Sequence, residues 1–181
     1  MLVRNNILLI SGLGRDTGKT LLATKVIEKF AQFGVIAIKV SPHFHSSQEQ
    51  ELILGIPKFF EVFEETNPNG HKDSSRMLSA GAKKSFYIQC TDKTLERVLN
   101  IMIMHLDRNI PIICESGALS KYLIPGIHVL MSPIHREAIG KKPTIYSDKK
   151  LPSGTPNVTL NLSNYEKFLK KLRFENGVWQ Y

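Results

Sequence analysis

Short apolar runs rich in β-branched residues alternate along the chain with segments whose apolar positions recur every three to four residues, a strand-and-helix alternation. The first run predicts a strand at about Asn6–Ser11. A helix over Gly18–Phe33 follows, with Leu22, Val26, Ile27 and Phe30 on one face and Gly34 placed to end it. "VIAIKVS" predicts a second strand that stops before Pro42, and Ser85–Cys90 a third. Next come a long helix, begun by Thr91 or Asp92 and ending near Asp107, and "IPIICES", a continuous apolar run suited to a buried central strand. "GIHVLMS", "PTIYSD" and "NVTLNL" predict further strands, and Asn161–Arg173 a last helix with Ser163 as its cap. Such alternation specifies an α/β fold of three layers, a mostly parallel central sheet with helices on both faces.

Residues 42–76 break the pattern: "HFHSSQEQ", the apolar patch "FFEVF" and the turn-rich "TNPNGHKD" predict a long excursion near a site, with a hairpin of its own. No repeat or linker interrupts the 181 residues, so one domain spans 1–181, and 42% apolar content suffices for a core without staples. Cys90 and Cys114 lie far apart in sequence and no zinc-type Cys/His spacing occurs, which favours a reducing compartment. No segment approaches the about 20 apolar residues of a membrane span, and the N-terminal run is too short for a secretion signal. A cytoplasmic protein without a membrane partner is expected. The net charge of +8 favours anionic partners, and residues 136–173 contribute nine Lys/Arg against three acids. Neither an aromatic RNA-binding signature nor a helix-turn-helix pattern accompanies that charge, so nucleic acid is not favoured.

The chemistry concentrates in "GLGRDTGKT", residues 12–20, between the first strand and the first helix. A phosphate-binding loop needs a strand to hold it, glycines that admit oxygens to backbone N–H groups, a lysine for the β/γ-phosphates and a Ser/Thr hydroxyl for Mg²⁺. Lys19 is the expected clamp and catalytic cation and Thr20 the magnesium ligand. Gly14, Arg15, Asp16, Thr17, Gly18 and Leu21 would complete the cradle. The strict spacing places a glycine where Leu13 stands, so the loop is either one residue longer, from Gly12, or reshaped around Gly14. These features place the fold in the P-loop NTPase class.

A carboxylate at another strand end should complete the magnesium shell, and Glu115, closing "IPIICE", fits that role or that of a surface acid. Asp16 either organises a nucleophile or caps the helix. His43 and His45 would share a face of an extended segment, as metal ligands can, or serve as ordinary hydrogen-bonding residues. His71, Lys72, Asp73 and Arg76 form either a nucleotide-facing set or a capping network. Asp148, after "TIYS", offers two acceptors to the two donors of guanine, or simply closes a turn.

With these residues assembled, the chain resembles the molybdopterin-guanine dinucleotide biosynthesis protein B (MobB) family. The phosphate loop ending Gly18-Lys19-Thr20, the strand "VIAIKVSPHFH" with its lysine, the block "NGHKDSSRMLSAGA" and "ICESGALSKYLIPGIHVL" followed by "TIYSD" carry the resemblance. The third block is the most diagnostic, matching at Gly70, Lys72, Asp73, Ser74, Arg76, Ala80, Gly81 and Ala82. The resemblance implies a GTP- and Mg²⁺-binding protein that assists attachment of GMP to a molybdopterin-type anionic cofactor beside a separate nucleotidyltransferase. It also implies a homodimer with weak GTPase activity at most, Ser147 and Asp148 as guanine contacts, and Glu115 on the magnesium side. Leu21 stands where the family has a second threonine, and Ser116 separates Glu115 from Gly117. A rival of another class is an ATP-dependent ligase of the dethiobiotin synthetase type, whose phosphate loop shares the longer spacing seen from Gly12 to Thr20 and whose strand-end glutamate is followed by small residues, as in "ESGAL". A regulatory nucleotide-binding module is the third alternative.

Overall fold

The computed structural model describes residues 1–44, 50–133 and 157–181. An eight-stranded sheet contains β1 (Leu2–Gly12), β2 (Ile36–Ser41), β3 (Glu51–Ile56), β4 (Phe60–Glu64), β5 (Lys84–Cys90), β6 (Ile112–Glu115), β7 (Leu123–Met131) and β8 (Asn157–Leu160). Its order is β3-β4-β5-β2-β6-β1-β7-β8. Neighbours from β5 to β8 run parallel, and β4 and β3 close one side antiparallel. The helices are α1 (Lys19–Phe30), α2 (Asp73–Ser79), α3 (Asp92–Met104) and α4 (Tyr165–Lys171). None of the described helices is long and apolar enough to cross a membrane.

Alternation along β1 divides the core. Leu8 and Ile10 point into a cluster with Leu22, Val26, Ile27 and Phe30 of α1, Met77 of α2 and Phe168 of α4. Ile7 and Leu9 face the opposite cluster, with Leu95, Val98, Leu99 and Ile103 of α3. A strand sandwiched between helices must be apolar on both faces, which is why "NILLIS" reads as an unbroken run. The expected layers are therefore present, with helices on both faces of a mixed, mostly parallel sheet.

Local signals largely match. Gly34 terminates the helical segment in the left-handed region at φ 70°, after a 3₁₀ turn over Ala31–Phe33. Thr91 flanks the start of α3, and the excursion contains its hairpin, β3–β4. Two departures have physical reasons. The last helix starts at Tyr165, because Asn161 and Asn164 form a turn in which the Ser163 hydroxyl bonds to Asn161 Oδ1 at 2.6 Å instead of capping. It also stops at Lys171, and the chain ends in a hairpin, β9 (Arg173–Glu175) with β10 (Val178–Gln180). There Trp179 is 2% exposed, donates its indole N–H to the Asn6 carbonyl at 2.9 Å and packs edge-on against Phe30. "PTIYSD" lies outside the described residues.

Pairing of β1 with β7 shifts register between Arg4 and Leu8. Gly126 permits it, since a Cβ there would stand 2.1 Å from the Asn5 carbonyl oxygen. Backbone cannot retreat as a flexible side chain would. Gly126→Ala should therefore lower the urea unfolding free energy by about 1–3 kcal/mol, as overpacked cores do, while Gly117→Ala, where nothing lies within 4 Å of the added carbon, should cost far less.

Candidate functional site

The site forms at the carboxyl ends of β1, β2 and β6, where an α/β sheet exposes strand ends to a ligand. β1 continues its pairing through Leu13, whose N–H bonds to the Met131 carbonyl at 2.9 Å, so Leu13 belongs to the strand run rather than to the loop that follows. Gly12 supplies the space: a Cβ on it would lie 2.5 Å from Thr17 Oγ1 and 2.8 Å from Lys19 Cδ. Gly12 thus closes β1 under Thr17 and Lys19, and the loop itself turns at Gly14, Asp16 and Gly18. Gly14 and Gly18 adopt φ of 137° and 84°, and Asp16 φ of 55°, a left-handed conformation that a short polar residue tolerates. Gly14, Arg15 and Asp16 are exposed, Thr17 is buried, and Gly18, Thr20 and Leu21 are half-buried.

Gly18 flanks the start of α1 without a side-chain cap, and the first turn carries no acid. Asp16 thus does not cap the helix, whose first N–H groups are left without a side-chain cap next to the loop, a setting that suits an anion. Lys19 folds over the same loop, donating from Nζ to the Gly14 carbonyl at 2.7 Å and to Thr17 Oγ1 at 3.3 Å. Burial lowers its pKa and nearby Lys39 adds to the effect, while Glu115 opposes it. An anion in the cradle would relieve both costs.

Opposite Lys19 lies a closed set of four side chains. Glu115, 1% exposed at the end of β6, accepts from Thr20 Oγ1 at 2.9 Å through one oxygen and from Lys39 Nζ through the other. Lys39 also pairs with Asp73 at 2.7 Å, and Thr20, whose one hydroxyl proton goes to Glu115, lies beside Asp73 as well. Arg76 stands 3.7 Å from the other Asp73 oxygen. Parallel register makes this possible: Glu115 is aligned with Ile10 on one side and with Lys39 on the other. Burial disfavours the Lys39 ammonium, yet Glu115 and Asp73 outweigh it and raise its pKa. Burial likewise opposes the Asp73 carboxylate, and the Lys39 hydrogen bond and charge more than compensate, lowering its pKa.

The expected Lys19, Thr20 and Glu115 come together with Asp73. Lys39 had entered only through a family likeness, although a lone lysine within the buried strand "IAIKVS" is itself a signal, since such a charge must find a partner. His43 and His71 are exposed, and Ser147, Asp148 and His45 lie outside the described residues. No group of three or more His, Cys, Asp or Glu suited to a metal occurs among the described residues. Thr20, Glu115 and Asp73 nonetheless offer three oxygen donors, which fits Mg²⁺, a hard ion that takes one or two carboxylates and completes its shell with phosphate and water.

Beneath the loop, Ser11 Oγ donates to the Ser116 carbonyl at 2.8 Å and meets His128 Nε2 at 3.0 Å. The hydroxyl proton being committed, His128 presents Nε2–H, and burial lowers its pKa so that it stays neutral at pH 7. This brace links the ends of β1, β6 and β7. Burial also pushes the Cys90 thiol up to about 11 and that of Cys114 higher still, so neither is a nucleophile at neutral pH. An open groove of about 430 Å³ adjoins the cluster at Arg76, between α1 and α2, lined also by Thr24, Glu28, Asn69 and Ser79. Comparison with protein-family models, characterised proteins and solved structures finds no match to the chain.

Lys39→Met removes the ammonium that Glu115 and Asp73 share and should destabilise the protein by about 3 kcal/mol at pH 7, measured by urea unfolding. Asp73 has a folded pKa below its ordinary 3.8, so its stabilisation is complete above about pH 4 and disappears as pH falls through the folded value. Asp73→Asn should therefore be less stable than wild type at pH 7, with the gap closing below pH 4. A gap of constant size would show that the Asp73 charge contributes nothing.

Proposed function

We propose that the chain is a P-loop NTPase-class protein that binds GTP with Mg²⁺ and acts, as in the MobB family it resembles, as an accessory in molybdenum cofactor maturation. One observation carries the nucleotide reading: the Thr20 hydroxyl, next to a loop lysine at a helix N-terminus, faces the buried strand-end carboxylate Glu115. Loop N–H groups from Gly14 to Leu21 would hold the α- and β-phosphates. Lys19 would release Gly14 O and Thr17 to span the β- and γ-oxygens, and Lys39 would face the terminal phosphate from the other side. Thr20, with Glu115 and Asp73 behind it, would hold Mg²⁺, which neutralises phosphate charge when bound. Such chemistry is electrostatic, and in this reading GTP hydrolysis is weak at most. Ser147 and Asp148 would contact guanine, and the basic C-terminal region suits a molybdopterin-type anionic cofactor delivered to a separate nucleotidyltransferase, with the protein in the cytoplasm.

The longer Gly12-to-Thr20 spacing in the sequence favours one second reading, the ATP-dependent ligase of the dethiobiotin synthetase type. Thermal unfolding separates the two. GTP or GDP with Mg²⁺ should raise Tm more than adenine nucleotides do, a ligand at 100 times its Kd adding about 2.7 kcal/mol. Lys19→Ala should abolish the shift with either base. Equal or greater stabilisation by ATP would overturn the guanine reading.

A homodimer belongs to the same proposal. β3 pairs with β4 on one side, and Leu52, Ile53, Ile56 and Phe59 are 55, 43, 49 and 59% exposed along this margin, an apolar edge of the kind that proteins cover. Sedimentation should find a dimer for wild type and a monomer for Ile53→Lys, and a monomeric wild type would remove the dimer from the proposal.

A further inference from the structure

Behind the phosphate site lies a buried acid that takes no direct part in it. Glu65 directly follows β4, is 4% exposed, and accepts only from neutral donors among its described hydrogen bonds. Gln50 Nε2, Ser74 Oγ and Ser75 Oγ reach Oε2 at 2.8, 2.8 and 2.9 Å, and the Asn67 N–H reaches Oε1 at 3.1 Å. Burial alone would raise the Glu65 pKa, but these bonds lower it, so the group is an anion at neutral pH. Two of the donors belong to the residues that follow Asp73. The Ser74 carbonyl is held as well, by Ser85 Oγ at 2.8 Å, while the Glu65 N–H bonds to the Ser85 carbonyl at 2.8 Å.

We propose that Glu65 is a positioning residue for the phosphate site: by accepting the Ser74 and Ser75 hydroxyls it sets the first turn of α2 so that Asp73 meets Lys39 and Thr20. The helix needs such an anchor. At seven residues it is too short to hold itself, and Lys72, which flanks its start, provides no side-chain cap. Gln50 and Glu65 also stand at the two feet of the β3–β4 hairpin, so the same carboxylate ties that hairpin to α2. Without the anchor, Asp73 turns away, Lys39 loses one of its two carboxylates, and its ammonium leans on Glu115 in competition with Thr20. The idea deepens the nucleotide proposal by naming what holds its acidic ligand, but its geometry stands without nucleotide.

The test reads Lys39 directly, in full-length protein labelled with ¹⁵N-lysine and free of nucleotide. The Lys39 ammonium cross-peak is assigned by its loss in Lys39→Met, and Asp73→Asn marks the frequency it takes without Asp73. Glu65→Gln, which replaces an acceptor-only carboxylate by one acceptor oxygen and an NH2 group with two donor hydrogens, should move the peak at least halfway to that frequency, and Glu65→Asp should return it part of the way. Val98→Ala, in α3 on the opposite face, should lower Tm yet leave the peak in place. A Glu65→Gln protein that loses stability while its Lys39 peak stays at the wild-type frequency would overturn the proposal, because Glu65 would then support only the fold. Should Glu65→Gln fail to fold, the Ser74→Ala/Ser75→Ala double variant takes its place: it keeps the carboxylate, removes two donors, and must displace the peak the same way. Absence of GTP binding would defeat the nucleotide reading and leave this result standing, whereas an unmoved peak alongside normal GTP binding would defeat only the role of Glu65.

Discussion

A buried carboxylate at the end of a central strand is the constraint to which the site answers. Glu115 is 1% exposed, and an unpaired charge at that depth would cost several kcal/mol. Thr20 and Lys39 compensate it from two different elements, one from the first turn of α1 and one from β2. Each partner is therefore held as much as it holds. Lys39 in turn requires Asp73, which draws α2 into the same arrangement. The loop, two strands and a short helix from the excursion are bound together by one charge-balancing requirement, and the position of each is over-determined.

Sheet order turns that requirement into geometry. β6 enters between β1 and β2, far from both in sequence, and the parallel register brings Ile10, Glu115 and Lys39 to the same level. In a parallel sheet the strand ends at one margin all point to the same space, where the loop after β1 and the start of α1 also lie. The two faces perform different tasks. One packs α1, α2 and α4 and hence carries every helix that reaches the site, whereas α3 on the other face braces the strands from behind.

The glycine-containing loop between β1 and α1 is organised around what is missing from it. Gly12 lacks the Cβ that would meet Thr17 and Lys19, Gly18 begins the helix with positive φ, and the first turn of α1 contains no acid. Lys19 spans the loop and bonds its carbonyl, in an environment that burial and Lys39 make unfavourable for a cation. An uncapped helix start beside a crowded ammonium is the electrostatic setting from which the nucleotide proposal is argued. On the outer side of the sheet, β3 leaves an apolar margin open, and its feet are joined to α2 through Glu65 and Gln50. The edge hairpin and the helix that carries Asp73 thus share one hydrogen-bonded carboxylate.

The sequence by itself determined whatever depends on neighbours in the chain. Hydrophobic periodicity placed the parallel strands and α1 and α3, because burial on both faces demands apolar runs and a helix buries one stripe. Glycine chemistry marked the loop and the end of α1, and the order of strand, loop and helix singled out Lys19 and Thr20. Terminal packing was less legible: Ser163 looked like a helix cap until Asn161 engaged its hydroxyl, and the β9–β10 hairpin follows from a distant docking of Trp179 on Asn6 and Phe30. Only the tertiary structure decided how the loop is shaped, since that rests on Thr17 and Lys19 packing over Gly12 and on the positive φ of Gly14, Asp16 and Gly18. It also decided that Glu115 is buried rather than a surface acid, and that Lys39 and Asp73 share one ion pair across 34 positions of chain. Charge pairing of this kind depends on strand order and register, and pairwise distances between remote residues leave no periodic trace in a sequence.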